Sequence, residues 1–377
     1  MSYMNKLRLS KSCIGVAEKD AVMRVLNNGY LGMGEAVRDF ENELSKYFGR
    51  PAICVVNGTA ALQLALQAAG VGEGDEVLIQ SMTYVASFQA IRATGAKPIA
   101  CEIYPDDFTI DLKDAQNKIS ARTKAIMPVH YSGGGGDLDS LYRFAARNKL
   151  RVIEDAAHAF GSIVQKKLVG SHGDIACFSF DGIKNITSGE GGCIVTDDPA
   201  VISAVRDSRL LGVIGDTEKR YKGKRSWEFD VTSQGWRYHM SDIMAAIGKV
   251  QLMNFEHHKS RRQKLAKYYE RSLSDVVGIE TIKHDYNEVV PHIFVVKLEE
   301  GLDRDIIKQI LEQAGIPTGI HYKPNHMLTL FSESAPDSLP VTEAVFPTLL
   351  TLPLHPELNY EDVDLIVEKL EEVIESF

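Results

Sequence analysis

The feature that most constrains the fold is an alternation of short apolar runs with helical patterns over the first half of the chain. Each run has the length of a buried strand, and the segment after it carries apolar residues at helical spacing. The predicted strands are residues 53–56, 76–80, 97–101, 123–130 and 151–155. The predicted helices are residues 19–28, 35–48, 57–69, 81–94, 114–118 and 138–148. Strands that alternate with helices form a mostly parallel sheet covered on both faces, so the sequence predicts an α/β fold.

The second half of the chain predicts a smaller unit of mixed helices and strands. A long helical pattern over residues 241–273 leads out of the first unit. The elements predicted beyond it are strands 292–298 and 317–320 and helices 304–314 and 361–377. A chain of 377 residues is long enough for two hydrophobic cores. We therefore predict a large domain over residues 1–250 and a smaller α+β C-terminal domain over residues 251–377.

The composition argues against several classes of protein. A formal net charge of −9 disfavours non-specific binding of nucleic acid, and no apolar run approaches the length of a membrane helix. Residues 1–10 contain no apolar core of a secretion signal. The five cysteines are scattered within apolar runs, which is typical of reduced thiols. We therefore predict a cytoplasmic protein that binds neither nucleic acid nor membranes.

A lysine lies between two predicted strands in the middle of the chain. The apolar run 175–180 ends in a turn, Lys184 follows the turn, and a second apolar run covers residues 193–195. Lysine is costly to bury unless it is paired or used chemically. One use is a Schiff base, for which partial burial lowers the pKa of the amine. The other interpretation is an exposed lysine on a loop, and the spacing alone leaves both open.

An aspartate ends the strand that precedes this region. Asp155 closes the apolar run 151–155, and ligands of α/β sheets bind at the carboxyl ends of strands. A lysine that forms an imine and an aspartate that faces a pyridinium nitrogen are the minimal equipment for pyridoxal phosphate. Lys184 and Asp155 together therefore predict a site for this cofactor.

A series of short segments occurs in the order found in one enzyme family. The segments are residues 57–62, 74–77, 83–86, 95–98, 154–157, 178–180, 184–185, 189–192 and 321–322. In this order they resemble the DegT/DnrJ/EryC1/StrS family of sugar-nucleotide aminotransferases, which are fold-type I pyridoxal-phosphate enzymes. The resemblance covers nearly the whole chain and implies a fold-type I architecture with pyridoxal 5'-phosphate as cofactor.

The resemblance assigns roles to individual residues of this chain. It implies that Lys184 and Asp155 are catalytic, with Lys184 forming the Schiff base and moving the proton while Asp155 faces the pyridinium nitrogen. The implied cofactor-binding residues are Gly58, Thr59, Ala60, Tyr84, Asp155, His158, Ser179, Lys184, Asn185 and Arg237. The implied substrate-binding residues are Tyr30, Met33, His321 and Tyr322.

Several of these positions also have an ordinary structural interpretation. The helix that begins near Gly58 could bind an anion through free N–H groups of Thr59 and Ala60, or it could be an ordinary capped helix. Tyr84 could stack on the cofactor ring or pack at its turn. His158 could touch the phenolic oxygen of the cofactor or pack at the end of its strand. The residues alone leave these alternatives open.

One segment departs from the family pattern. Residues 235–240 read Gly-Trp-Arg-Tyr-His-Met, where the family commonly has Gly-Tyr-Asn-Tyr-Arg-Met. The family's asparagine reaches the cofactor phosphate of the partner subunit, and Arg237 occupies its position. Because arginine can clamp a phosphate, the role could survive the change. The resemblance therefore implies a homodimer with shared active sites.

Two other motifs are interpreted as structural. The glycine-rich run 131–137 lacks the lysine of a phosphate-binding loop, so it predicts a flexible turn. His321 and His326 lie close together in the sequence, but no third ligand has suitable spacing. We therefore predict no metal site.

The function implied by the resemblance is transamination of a nucleotide-linked 4-keto-6-deoxyhexose with L-glutamate. The product would be a 4-amino-4,6-dideoxy sugar nucleotide for surface polysaccharide or a related glycan, such as the O-antigen of lipopolysaccharide. One alternative is amination of a 3-keto sugar nucleotide. A sugar dehydratase is disfavoured because its relatives carry histidine where this chain has Lys184, and desulfurases or aldolases fit the ordered motifs less well. A non-catalytic regulator would need a DNA-binding segment, which the acidic composition does not support.

Overall fold

A seven-stranded sheet forms the centre of the molecule, and the computed structural model describes residues 7–335 and 337–377. The prediction for residues 1–10 therefore lies largely outside the described residues. The strands of the large sheet and the hairpin beside it are β1 (Ala52–Val55), β2 (Glu76–Gln80), β3 (Lys97–Cys101), β4 (Thr123–Met127), β5 (Arg151–Asp155), β6 (Ile163–Val164), β7 (Lys167–Leu168), β8 (Ile175–Ser179) and β9 (Gly192–Thr196). The hairpin is formed by β6 and β7 alone.

The strand order in the large sheet is β1-β9-β8-β5-β4-β2-β3. Strand β9 runs antiparallel to both of its neighbours, and every other neighbouring pair is parallel. The prediction of a mostly parallel sheet is confirmed. The carboxyl ends of β2, β4, β5 and β8 consequently meet at one edge, where ligands of such sheets bind.

Helices cover both faces of this sheet. In the order of the chain they are α1 (Val16–Asn28), α2 (Glu35–Phe48), α3 (Gly58–Ala68), α4 (Val85–Ala93), α5 (Leu112–Asn117), α6 (Leu138–Asn148), α7 (Pro199–Ser208), α8 (Asp216–Arg220), α9 (Asp242–Met253), α10 (Phe255–Ser272), α11 (Arg304–Gln313), α12 (Pro340–Val345) and α13 (Tyr360–Ile374). Apolar residues of α3, α4 and α7 form a core on one face, and those of α2 and α9 contribute to a core on the other. Among the described residues, no helix combines the length and apolarity needed to cross a bilayer.

The C-terminal part contains a three-stranded antiparallel sheet with its own core. Its strands are β10 (Ile279–Thr281), β11 (Phe294–Leu298) and β12 (Leu349–Leu352), in that order. Helices α10, α11 and α13 pack on it around a separate apolar cluster. Phe331 and Leu339, however, belong to the core of the large sheet. The division at residue 250 therefore stays a prediction, because the later chain packs against both cores.

The predicted single helix over residues 241–273 is wrong. The chain leaves the helical path at Asn254, whose N–H donates to Val250 O and ends α9. Phe255 then turns inward to 1% exposure and packs edge to face on Phe160, with ring centroids 4.9 Å apart. Burial of a large aromatic side chain outweighs continuous helical hydrogen bonding at one residue.

Three other local predictions also differ from the structure. Residues 81–84 are not helical, because the Asn325 amide donates to the carbonyls of Ser81 (3.1 Å) and Thr83 (2.8 Å) and holds them extended. The segment 317–320 makes only one bridge, between Gly319 and Thr351, and is not a strand. The run 131–134 is buried rather than flexible.

Arg50 holds the segment that leads into β8. Its buried guanidinium donates to Asp197 Oδ2 (2.6 Å) and to the main-chain carbonyls of residues 170, 172, 173 and 174, at 2.6–3.3 Å. These carbonyls lie at the entrance to the strand that ends in Ser179. One side chain thus donates to a carboxylate and to four main-chain carbonyls of a single segment.

We expect Arg50→Lys to lower the free energy of unfolding by about 2–4 kcal/mol, because an ammonium cannot reach the same set of acceptors. Arg38→Lys is the matched control, since Arg38 pairs with Glu35 at the surface. Denaturant unfolding followed by circular dichroism measures both variants. Equal stability of the two would show that the Arg50 contacts do not anchor this segment.

Candidate active site

A cavity of about 440 Å³ opens at the carboxyl edge of the large sheet. It lies where β5 and β8 end, beside the start of α3 and the turn before α4. The residues predicted from the sequence that line it are Gly58, Thr59, Tyr84, Asp155, His158, Ser179, Lys184, His321 and Tyr322. Residues separated by up to 264 positions in the chain, from 58 to 322, therefore meet in one cavity.

The N-terminus of α3 points its first N–H groups at this cavity. Gly58 and Thr59 begin the helix, so their N–H groups have no acceptor within it. A side chain at Gly58 would place its Cβ 2.8 Å from Ser179 Cβ, so only glycine fits here. Ala60 departs from the prediction, because its N–H donates to Asn57 Oδ1 at 2.8 Å and is not free. The donors that remain available to an anion are therefore the N–H groups of Gly58 and Thr59 and the Ser179 hydroxyl.

Asp155 is fixed by hydrogen bonds on both carboxylate oxygens. Its Oδ2 accepts from Ser87 Oγ at 2.6 Å, and its Oδ1 accepts from the Ala157 N–H at 3.2 Å. The residue is 5% exposed and lines the cavity at the end of β5. A carboxylate that is buried and hydrogen-bonded in this way offers a fixed negative charge to a cationic group of a ligand.

Lys184 follows the turn after β8 and faces the same cavity. Its main-chain N–H donates to Asp181 O at 3.1 Å, which closes the turn. Burial lowers the pKa of the Lys184 amine to about 8, although Asp155 and Asp181 oppose this effect. Arg262 lowers the pKa further as a neighbouring cation. At pH 7 about a tenth of the amine is therefore unprotonated and can act as a nucleophile.

The rings of His292 and Tyr322 pack against His158 at the cavity wall. Its Nε2 lies 3.0 Å from the hydroxyl of Tyr322, and its Nδ1 has no hydrogen-bond partner among the described residues. Burial lowers the pKa of His158 well below its usual value. His321 also lines the cavity, and burial lowers its pKa to about 4. Both histidines are thus neutral at neutral pH, and His158 offers a polar atom to a ligand.

The structure adds residues that the sequence interpretation missed. His292 Nε2 lies 3.3 Å from Lys184 Nζ, and Ser87 holds Asp155. Asp181 and Glu190 also line the cavity. Neither His292 nor Ser87 belongs to a spacing pattern with its partner, because 108 residues separate His292 from Lys184 and 68 separate Ser87 from Asp155. Only the tertiary fold brings them together.

Ala60 does not line the cavity, and neither do four other predicted residues. The amide of Asn185 is buried and donates to the carbonyls of Phe160 and Val290, both at 3.2 Å. Met33 is fully buried in the core beneath α2, and its carbonyl accepts from the Tyr30 hydroxyl at 3.2 Å. Tyr30 lies in the same loop, outside the cavity of its own chain. Arg237 is exposed and makes no ion pair with any residue in the described parts of the chain.

Comparisons with known proteins find the same overall architecture in aminotransferases. The DegT/DnrJ/EryC1/StrS aminotransferase family model matches residues 12–371. The chain is similar to Spr1654 from Streptococcus pneumoniae in its PLP form, at 30% identity and TM-score 0.91, over 98% of this chain and 99% of that one. It is similar to the sugar aminotransferase CalS13 from Micromonospora echinospora, at 28% identity and TM-score 0.88, over 97% and 99% of the two chains.

A third similar structure is PseC from Helicobacter pylori, an aminotransferase involved in the biosynthesis of pseudoaminic acid. The identity is 27% and the TM-score is 0.91, over 99% of this chain and 100% of that chain. These matches span the large sheet and the C-terminal part together. The predicted fold-type I architecture, with a smaller α+β C-terminal part, is confirmed.

We expect Gly58→Ala to weaken binding of pyridoxal phosphate at least ~10-fold, because the added methyl group would press on Ser179 where the helix start must stay open. Gly72→Ala is the matched control, since its nearest neighbour would be 4.0 Å away. Equilibrium dialysis of the cofactor measures both variants, with circular dichroism to check the fold. Unchanged binding by a folded Gly58→Ala protein would place the phosphate elsewhere.

Proposed function

The chain belongs to the DegT/DnrJ/EryC1/StrS aminotransferase family, whose cofactor is pyridoxal phosphate, and we propose that it aminates a nucleotide-linked 4-keto-6-deoxyhexose with L-glutamate as the amino donor. The product is a 4-amino-4,6-dideoxy sugar nucleotide. The observation that carries the proposal is the placement of Lys184 and Asp155 in one cavity beside the open start of α3.

The residues of this cavity fit pyridoxal phosphate. The start of α3 and the Ser179 hydroxyl offer donors for a phosphate group. The buried Asp155 carboxylate suits a protonated ring nitrogen. Lys184 has a buried amine that forms no ion pair with a described carboxylate, which suits covalent use of that amine. His158 also lines this cavity, and its Nδ1 has no hydrogen-bond partner among the described residues.

When bound, pyridoxal phosphate supplies an aldehyde that accepts an amino group and a ring that accepts electrons from the substrate carbon. Lys184 Nζ would hold the cofactor and, once released, would move the proton from the α-carbon of the donor to the aldehyde carbon of the cofactor, and the opposite transfer would complete the second half of the reaction. Asp155 keeps a proton on the ring nitrogen. Ser87 and the Ala157 N–H hold the Asp155 carboxylate in place.

The assignment of a sugar substrate rests on the relatives, and the choice of the aminated carbon rests on one segment of the sequence. CalS13 is a sugar aminotransferase, and PseC acts in pseudoaminic acid biosynthesis. We choose carbon 4 because the sequence of residues 235–243 resembles the corresponding sequence in enzymes that make 4-amino sugars. Amination of a 3-keto sugar nucleotide is the second candidate. The five cysteines are all free thiols, which supports our placement of the enzyme in the cytoplasm.

We also infer that the enzyme is a homodimer with shared active sites. The segment that precedes Arg237 in the chain contains several exposed apolar side chains. They are Leu211, Ile214, Trp227, Phe229 and Val231, and Trp227 is 85% exposed. A concentration of this kind on one surface supports a covered interface. Because Arg237 is exposed and unpaired in its own chain, it is available to the phosphate site of a partner.

The proposed reaction is tested by mixing the purified enzyme with L-glutamate and a panel of 4-keto- and 3-keto-6-deoxy sugar nucleotides. We expect glutamate alone to bleach the cofactor absorbance, and an amine to appear at carbon 4 of a 4-keto substrate, identified by mass spectrometry and NMR. Lys184→Ala should lose the imine absorbance and at least ~10³-fold of the turnover. Full turnover by this variant, or borohydride labelling of another lysine, would contradict the assignment of Lys184.

The shared site is tested by co-expressing Lys184→Ala and Arg237→Ala subunits with different tags. If Arg237 completes the partner's site, one of the two sites in a mixed dimer carries both defects and the other carries neither. Random mixing of equal amounts should then restore about one quarter of wild-type activity from two inactive parents, because of the two-fold symmetry. Confirmed mixed dimers without activity would show that Arg237 serves its own subunit, and an active Arg237→Ala parent would show that it serves neither site.

A further inference from the structure

The imidazole of His292 has one hydrogen-bond partner among the described residues, and that partner is the reactive lysine. Its Nε2 lies 3.3 Å from Lys184 Nζ. The other ring nitrogen, Nδ1, has no hydrogen-bond partner among the described residues. The ring is 3% exposed and packs against the ring of His158, with centroids 4.5 Å apart. Burying a polar ring costs free energy unless the ring is hydrogen-bonded. We therefore attribute the burial of His292 to its hydrogen bond with Lys184.

The charge state of His292 fixes the direction of the hydrogen bond. Burial lowers the pKa of His292 well below its usual value. The neighbouring groups that lower it further are Lys184, His158, Arg262 and His321. A neutral imidazole presents one lone pair and one N–H, and the Lys184 ammonium has only donors, so in this charge state Lys184 donates and Nε2 accepts, with the ring proton on Nδ1. The proton of the pair consequently stays on the lysine.

The backbone holds both partners through one buried arginine. Arg262, which is 1% exposed, donates from Nη1 to the carbonyl of His292 at 3.2 Å and from Nη2 to the carbonyl of Ile183 at 3.5 Å. Ile183 directly precedes Lys184 in the chain. The His292 N–H also donates to Ser132 O at 3.3 Å. The separation of amine and imidazole is therefore set by main-chain contacts outside the cavity.

We propose that His292 is a positioning residue that receives the free Lys184 amine and fixes the place from which that amine transfers its proton. The proposal rests on the function proposed above and deepens it. During each half-reaction the lysine is released, and a flexible four-carbon side chain would otherwise sample several directions. An acceptor at 3.3 Å that cannot itself take the proton limits these directions and leaves the proton on Nζ.

The first test measures the amine itself, in the full chain freed of cofactor. Lys184 is reductively methylated with formaldehyde over a range of pH, and mass spectrometry gives its labelled fraction in the wild type, His292→Leu and His292→Gln. The charged or titratable groups that face the amine remain in all three proteins. They are Asp155, Asp181, Arg262, His158 and His321.

The direction in which the pH of half-labelling of Lys184 changes distinguishes a positioning role of His292 from a packing role. In His292→Leu the ammonium form loses its acceptor, so the pH of half-labelling should fall by about one pH unit. In His292→Gln the amide oxygen can accept in place of Nε2, and the value should stay near that of the wild type. A pocket that had simply loosened would admit water and move the value up, towards ordinary lysine. A rise, or no change, in a folded His292→Leu protein would overturn the proposal.

The second test follows the loss of cofactor absorbance in a single turnover with glutamate. We expect His292→Leu to slow this step by ~10- to 100-fold at an unchanged half-saturating glutamate concentration, and His292→Gln to recover most of the rate. His284→Gln is the matched control, since His284 also has a pKa lowered by burial, to about 4, but does not line the cavity. Its rate and labelling should equal those of the wild type.

The two tests also separate this proposal from the proposed function. If the wild-type enzyme takes no amino group from glutamate, the proposed reaction fails, while the labelling profile still decides whether His292 receives the amine. If the wild type reacts and His292→Leu reacts equally fast with an unchanged profile, the role of His292 fails alone. If His292→Leu does not fold, His292→Gln decides the test. A single-turnover rate and a labelling profile of His292→Gln that both differ strongly from those of the wild type would overturn the proposal.

Discussion

The arrangement of the site depends on the burial of one amine without an ion pair. Desolvation favours the neutral form of Lys184, and the surrounding protein must prevent the side chain from turning towards water. The turn that bears it is closed by Asp181 O and lies between β8 and β9 in the middle of the large sheet. The carboxylates of Asp155 and Asp181 limit the cost but do not abolish it. A reactive amine is therefore maintained by the stability of the whole sheet.

Arg262 joins the two parts of the molecule at this point. It belongs to α10, whose apolar residues lie in the C-terminal core, yet its guanidinium donates to the carbonyls of Ile183, Pro291, His292 and Leu354. No carboxylate of the described residues neutralises it, and burial lowers its pKa to about 10. An unneutralised buried cation is tolerated because carbonyl groups surround it. The same charge lowers the pKa of Lys184, so one residue contributes both to packing and to reactivity.

The sequence predicted the elements that are encoded within one segment and missed the features that depend on contacts between residues far apart in the chain. Strands such as 76–80 and helices such as 35–48 agree with the structure because their periodicity and their Gly stops are encoded within the segment. The break at Asn254 arises from burial of Phe255 against Phe160, and the extended segment 81–84 is held by Asn325. His292 and Ser87 likewise meet their partners only in the fold. Lys184 and Asp155 could be found because each lies at the end of an apolar run.

The reversed strand β9 ties the lysine turn to the phosphate end of the cavity. Gly192 in β9 lies so close to Asn57 that a Cβ there would approach its carbonyl carbon to 2.7 Å, and Gly58 has the same relation to Ser179 in β8. The two strands that flank the Lys184 turn are thus the two strands against which the start of α3 is packed. The distance between the amine and the anion-binding N–H groups is consequently set by hydrogen-bonded strands instead of loops. A cofactor with an aldehyde at one side of its ring and a phosphate at another needs such a fixed separation, and strands supply it with less motion than loops do.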